Sequence, residues 1–258
     1  PPTTLAPTTL PSTTLPSTTL EVTLPTRPPW LGTRDLTLPD GSIATGLETP
    51  PELLDRRFAT IDLLPPPDPT AGFVSSIGPL EGEMLAASTW EEGCPVEPDD
   101  LRLLTLTFWG FDDQPHTGDM IVHADVADDV VFVFARLFDA RFSIEEMRVI
   151  TDADLVAPNS GDGNVTSAFE CRAVRGGSTF SEHAHGLAID INPFLNPYLR
   201  GEVLLPELAA HYLPRELAAP GQITEGDVVT EAFAEIGWHW GGNWSSLVDY
   251  QHFALRNR

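Results

Sequence analysis

The chain has 258 residues, 41% of them hydrophobic, which is enough to bury a real core in one large domain or two small ones. Its 38 acidic residues against 14 basic ones give a formal charge of -24, which excludes nucleic acid as a partner because phosphate binding needs a positive footprint. No apolar run approaches eighteen residues, so no transmembrane segment is expected in these residues. The chain begins at Pro1 and not at a methionine, and an upstream signal peptide or lipid anchor is therefore expected.

Residues 1–27 open with Thr-Thr-Leu repeated every five positions, at Thr3 to Leu5, Thr8 to Leu10, Thr13 to Leu15 and Thr18 to Leu20. Proline at this density prevents helix and sheet and the leucines are too few for a core, so this stretch is expected to be a disordered Thr/Pro-rich linker. Residues 28–93 mix Trp30, Phe58 and Ile61 with prolines such as Pro65, Pro66 and Pro67, and show no sustained period beyond a short helix at Pro51 to Arg57. They are expected to form an irregular extension packed on a catalytic domain at 94–258, since they lack the elements for a core of their own.

Within 94–258, Leu104, Leu106 and Phe108 alternate with Thr105 and Thr107, which predicts a strand over Leu101 to Phe111. A second short strand is expected at Met120 to His123. Asp125 is expected to cap a helix carrying Val130, Val131, Phe134, Leu137 and Phe138, and another strand is expected at Met147 to Thr151. The Gly/Asp/Asn run from Asn159 to Asn164 lacks the ligand series of a calcium loop and reads as an ordinary loop. Asp227 to Ile236 predicts a helix stopped by Gly237. Elements in this order imply an α+β fold, with a small antiparallel sheet and helices packed behind it.

Two stretches carry chemistry. In Ser181-Glu182-His183-Ala184-His185-Gly186-Leu187-Ala188-Ile189-Asp190-Ile191-Asn192-Pro193, the alternation of Leu187, Ile189 and Ile191 turns Asp190 to the opposite face. The second, Asp249-Tyr250-Gln251-His252-Phe253, follows a Trp/Gly-rich run from Trp238 to Trp244. His183, Asp190 and His252 compose a three-ligand set of the kind that holds a catalytic zinc ion, and Asp249 lies where a water-activating base belongs. Trp238, Trp240 and Trp244 read as core and groove wall, with Gly241 and Gly242 allowing close backbone approach. Cys94 and Cys171 belong to no Cys-x-x-Cys pair, and are either one disulfide or two buried thiols.

Together Ser-x-His-x-x-Gly-x-Ala-x-Asp with Asn-Pro, Gly-Trp-x-Trp-Gly-Gly-x-Trp and Asp-Tyr-x-His-Phe resemble the zinc peptidases of the D-alanyl-D-alanine carboxypeptidase and L-alanyl-D-glutamate endopeptidase family, from about Cys94 to Phe253. The resemblance implies the fold shared with the Hedgehog signalling domain, one zinc ion on His183, Asp190 and His252, Asp249 as general base, Arg172 facing the scissile carbonyl, and a Cys94–Cys171 disulfide. It implies a secreted or envelope-associated bacterial enzyme, expected to be a monomer, whose partner is the peptidoglycan stem peptide.

Relatives commonly carry tyrosine where this chain has His185. In an extended segment His183 and His185 would share a face, so His185 is expected beside the substrate groove with Ser181 and Trp240, or as a substitute ligand. Aspartate at position 249 is the form of the endopeptidase branch, and Arg172 and Arg175 are the only cations close to the first motif. The expected cut is therefore between L-alanine and D-glutamate, with removal of terminal D-alanine, or a non-catalytic zinc-stabilised wall-binding module, as the alternatives.

Overall fold

A computed structural model describes residues 23–39, 45–174 and 177–257; most of the expected Thr/Pro-rich linker, and Arg175, lie outside them. The fold is α+β, built from small sheets. The strands are β1 (Ser75–Pro79), β2 (Leu101–Trp109), β3 (Pro115–His123), β4 (Glu146–Met147), β5 (Val165–Thr166), β6 (Ala188–Asp190), β7 (Tyr198–Arg200), β8 (Val203–Leu205), β9 (His239–Trp240), β10 (Val248–Asp249) and β11 (His252–Ala254). The α-helices are α1 (Gly82–Ala87), α2 (Ala127–Asp139), α3 (Asp152–Val156) and α4 (Val228–Glu235). Three antiparallel sheets, in the orders β1-β2-β3, β10-β7-β8 and β6-β11-β9, are joined by a parallel pair, β4-β5.

The main core explains why these elements meet. Leu104, Leu106 and Phe108 of β2 are buried against Val130, Val133, Phe134 and Leu137 of α2, and the same cluster takes in Phe233 of α4, Ile189 and Phe253. The period-2 face of the sheet and the 3.6-period face of the helix thus close on one apolar interior. The sheet β6-β11-β9 lies on this core by its apolar side and presents its polar side outward. Asp227 caps α4 by accepting from the backbone N–H of Val229 and Thr230, and Gly237 follows the helix with φ +79°.

Several local expectations are corrected. β3 begins at Pro115, five residues before the expected strand. Asp125 does not cap α2: it lies in a short 3₁₀ turn, Ala124–Val126, and its backbone N–H donates to the ring Nδ1 of His123. The strand expected over Met147 to Thr151 shortens to β4, because the side chain of Asp154 accepts from the backbone and hydroxyl of Thr151 and turns the chain into α3. The helix expected at Pro51 to Arg57 is a 3₁₀ turn, Pro51–Leu53.

Residues before Cys94 contribute buried groups. Leu53 and Phe58 pack with Phe111, Phe194 and Tyr212 in a second apolar cluster. Beside it the Glu145 carboxylate, 1% exposed, accepts from Arg56 Nε at 2.8 Å and from Asn164 Nδ2 at 2.7 Å, and pairs with Arg27 at 3.2 Å. The Asn159 to Asn164 loop joins the same junction: Asp162 accepts from the Gly32 N–H at 3.0 Å and its carbonyl accepts from Arg56. Cys94 and Cys171 form a disulfide with their Cα atoms 5.9 Å apart, closing 77 residues of chain.

Glu145 makes a direct test of this junction, because removing it leaves the Arg56 guanidinium buried beside no charge. Urea unfolding of Glu145→Ala should show a loss of roughly 3–5 kcal/mol. An unchanged midpoint would mean that the junction adds nothing to stability.

Candidate metal centre and cleft

The centre begins with a strand register. His252 on β11 pairs directly opposite Asp190 on β6, so both side chains leave the same face of the sheet, while Ile189 and Phe253 enter the core from the other. His252 Nδ1 lies 2.9 Å from Asp190 Oδ1. The third group, His183, comes from a 3₁₀ turn, Glu182–His185, which ends at Gly186 with φ +66°. A side chain at 186 would clash as well as strain the backbone: a Cβ would lie 2.6 Å from the backbone nitrogen of His123. Ser181 caps this turn by accepting from the His183 N–H at 3.3 Å, which gives Ser181 a structural task beside the cleft.

His183 Nδ1 lies 2.6 Å from the Ala168 carbonyl oxygen, an acceptor only, so Nδ1 carries a proton and Nε2 faces inward. That Nε2 is 3.2 Å from His252 Nδ1 and 3.4 Å from Asp190 Oδ1. The ligand-capable atoms of the three residues all lie within 4.8 Å of one another. A tetrahedral ion with bonds of about 2.0–2.1 Å separates its ligand atoms by about 3.3 Å, so the spacing fits one ion and the N/N/O donor set suits zinc. Electrostatics agree. Burial alone would lower the His183 imidazole, but the Asp190 charge and hydrogen bond raise it to about 9. Burial opposes the ionisation of Asp190, yet the His183 and His252 rings hold it well below the ordinary carboxylate range. The cluster is arranged to keep an anion beside positive charge.

Asp249 reaches the same cleft from a different sheet, β10-β7-β8, where it pairs opposite Tyr198. Gly241 makes room for it, since a Cβ there would lie 2.6 Å from the Asp249 carbonyl oxygen. Burial raises the Asp249 carboxyl well above its usual range, and the Asp190 charge raises it further. Its Oδ1 is buried and has no hydrogen-bond partner among the described residues. Such an atom calls for a ligand, a water or a proton.

These groups open onto a cleft of about 500 Å³, which Arg172, Ser181, Tyr198, Leu205 and Trp244 also line. Arg172 donates from Nε to Glu170 at 2.6 Å and feels the charges of Asp190 and Asp249. Arg172 thus combines an ion pair to Glu170 with a place in the cleft. The neighbouring Cys171 is fixed by the disulfide and by its N–H bond to the Thr89 hydroxyl.

Two groove expectations are corrected. His185 lies on a 3₁₀ turn, in which residues two apart point about 240° apart, so it does not share a face with His183 and it does not line the cleft. Trp240 is buried, stacks on Phe253 at 6.4 Å and donates to the Tyr250 carbonyl; Trp244 forms the wall instead. Arg200 and Arg256 also line the cleft, and neither was expected there. Tyr198 and Arg200 share a strand face by period 2, but only tertiary packing shows that this face meets the motif.

Two imidazoles, a carboxylate and a second, buried carboxyl around one cleft define a class, a candidate metal-dependent hydrolytic centre. Residues 175–255, which include His183, Asp190, Asp249 and His252, match the model of a family described as D-alanyl-D-alanine carboxypeptidase. This segment carries the signature of that family, and the match supports a peptidase and hence a hydrolase. No curated protein and no solved structure matches the chain.

His252→Ala should lower bound metal from one equivalent to nearly none, read by elemental analysis of purified protein, whereas His185→Ala should keep it. A His252 variant that retains a full equivalent while the His185 variant loses it would contradict this ligand set.

Proposed function

We propose that this chain is a zinc-dependent peptidase that hydrolyses a peptide bond of the peptidoglycan stem, acting as a monomer in a secreted or envelope-associated setting. The observation that carries the reading is the His252/Asp190 cross-strand pair with His183 Nε2 beside it and the unpartnered Asp249 oxygen facing the same cleft. A disulfide suits an oxidising compartment, and no helix among the described residues is long and apolar enough to cross a membrane. Zinc, when bound, supplies Lewis-acid polarisation of the carbonyl and makes a water nucleophilic near neutral pH.

The chain's own groups perform the remaining work. His183, Asp190 and His252 hold the ion. Asp249, whose proton affinity is raised by burial, takes the proton of the attacking water and passes it to the leaving amine. Arg172, oriented by Glu170, stabilises the negative charge that grows on the carbonyl oxygen. A purely structural site or wall-binding module has no use for a carboxyl oxygen buried without a partner beside the metal residues, which argues for catalysis.

The choice of bond shifts from the sequence expectation. The cut between L-alanine and D-glutamate drew on a shortage of cations near the motif, and Arg200 and Arg256 remove that ground. Asn192, just past the first motif, is fully buried and used structurally, its side-chain amide donating to the Ser143 and Gly221 carbonyls. Removal of the terminal D-alanine is therefore the better supported cut, in keeping with the family description. Cleavage at L-alanyl-D-glutamate is the second reading, supported by aspartate at position 249.

Mass spectrometry of digested muropeptides decides between them: free D-alanine from pentapeptide stems is expected. In the same assay Asp249→Asn should retain metal yet lose at least about a hundredfold in turnover. Near-normal turnover in that variant would remove Asp249 as the base.

A further inference from the structure

All 14 basic residues of the chain are arginines, set against 38 carboxylates, and an arginine without a partner is therefore unusual here. Every other described arginine is engaged, by a carboxylate, a backbone carbonyl or an aromatic ring. Even the other two in the cleft are committed, Arg172 to Glu170 at 2.6 Å and Arg256 to Glu182 at 3.5 Å. Alone among the described arginines, Arg200 has no side-chain hydrogen bond, ion pair or ring contact, and it is exposed in the cleft.

The strand register places it relative to the chemistry. Asp249, Tyr198 and Leu205 form one row across β10, β7 and β8, and all three line the cleft. Arg200 is two residues along β7 from Tyr198, on the same face, and so about 7 Å from that row. An extended peptide lying along β7 covers that distance in about two residues.

Resting on the peptidase reading above, we propose that Arg200 is a specificity-determining residue that binds a carboxylate of the substrate within about two residues of the scissile bond. A guanidinium presents parallel N–H donors that match a carboxylate, and this one gives up no internal partner to do so. In a protein of charge -24 such a local cation is also what offsets the general repulsion of an acidic peptide. The stem offers two carboxylates of this chemistry, the C-terminal one and the α-carboxylate of a γ-linked D-glutamate.

The test is calorimetric binding of three probes to Asp249→Asn protein, in which turnover is suppressed: a stem pentapeptide, its C-terminal carboxamide, and the same peptide with D-isoglutamine in place of D-glutamate. One of the two amidated peptides should bind roughly ten- to a hundredfold more weakly than the parent, and which one it is identifies the carboxylate. Adding Arg200→Gln should reduce that discrimination to within about threefold, and Arg200→Lys should restore part of it. Absence of discrimination in the parent protein, its survival in Arg200→Gln, or failure to bind any of the three overturns the proposal. Arg200-dependent discrimination combined with no hydrolysis of the pentapeptide by wild-type protein would sustain Arg200 as a carboxylate site while defeating the peptidase reading.

Discussion

The pairing of β6 with β11 is the constraint on which the rest depends. It does two things at once: it sends Ile189 and Phe253 into the core, where Phe253 stacks on Phe233 at 4.1 Å, and it sets Asp190 opposite His252. Burial of such side chains stabilises by roughly 1.5–3 kcal/mol each, and a slip of one residue would forfeit it while turning the carboxylate inward. The geometry of the centre is therefore enforced by the hydrophobic effect and not by the polar groups themselves. His183 is then brought in by a turn whose glycine, Gly186, nothing larger can replace.

The cleft is a joint between sheets. The three metal-binding candidates belong to β6, β11 and the turn before them, whereas Asp249 and Arg200 belong to the β10-β7-β8 sheet and Arg172 to a segment held by the disulfide. The relative placement of these parts rests on the interior junctions. Gly241 lets the Asp249 strand approach the Trp-rich turn, and Asn192, with φ +44°, links the end of β6 to the backbone at Ser143 and Gly221. The Glu145 cluster stands behind Asn192, whose side-chain oxygen accepts from the Glu145 N–H, so residues as distant as Arg27 and Arg56 share in supporting the cleft.

Much of the centre was legible because strands encode facing residues with a period of two. The alternation of Leu187, Ile189 and Ile191 is enough to turn Asp190 outward, and the resemblance of the two motifs to the zinc peptidases supplies its companions, His183 and His252. Features set by the exact backbone state are not legible in this way: an extended segment would put His185 on the face of His183, but Ser181 and Gly186 fix a 3₁₀ turn there. Asp125 has the residue type of a helix cap, yet the His123 ring caps the turn there by accepting from the Asp125 N–H. Trp240 and Trp244 carry the same residue type four positions apart, and only the packing of Trp240 on Phe253 separates core from wall. Arg200 and Arg256 escaped notice because their nearness to the site is purely tertiary.

One metal ion on a His/Asp/His set is the centre of this account. Anomalous diffraction from crystals of the purified, zinc-loaded protein, recorded on both sides of the zinc absorption edge, tests it most directly. One strong edge-dependent peak is expected, bonded to His183 Nε2, an Asp190 oxygen and His252 Nδ1, within reach of Asp249. A zinc peak elsewhere in the chain, or no peak between these three side chains, would contradict it.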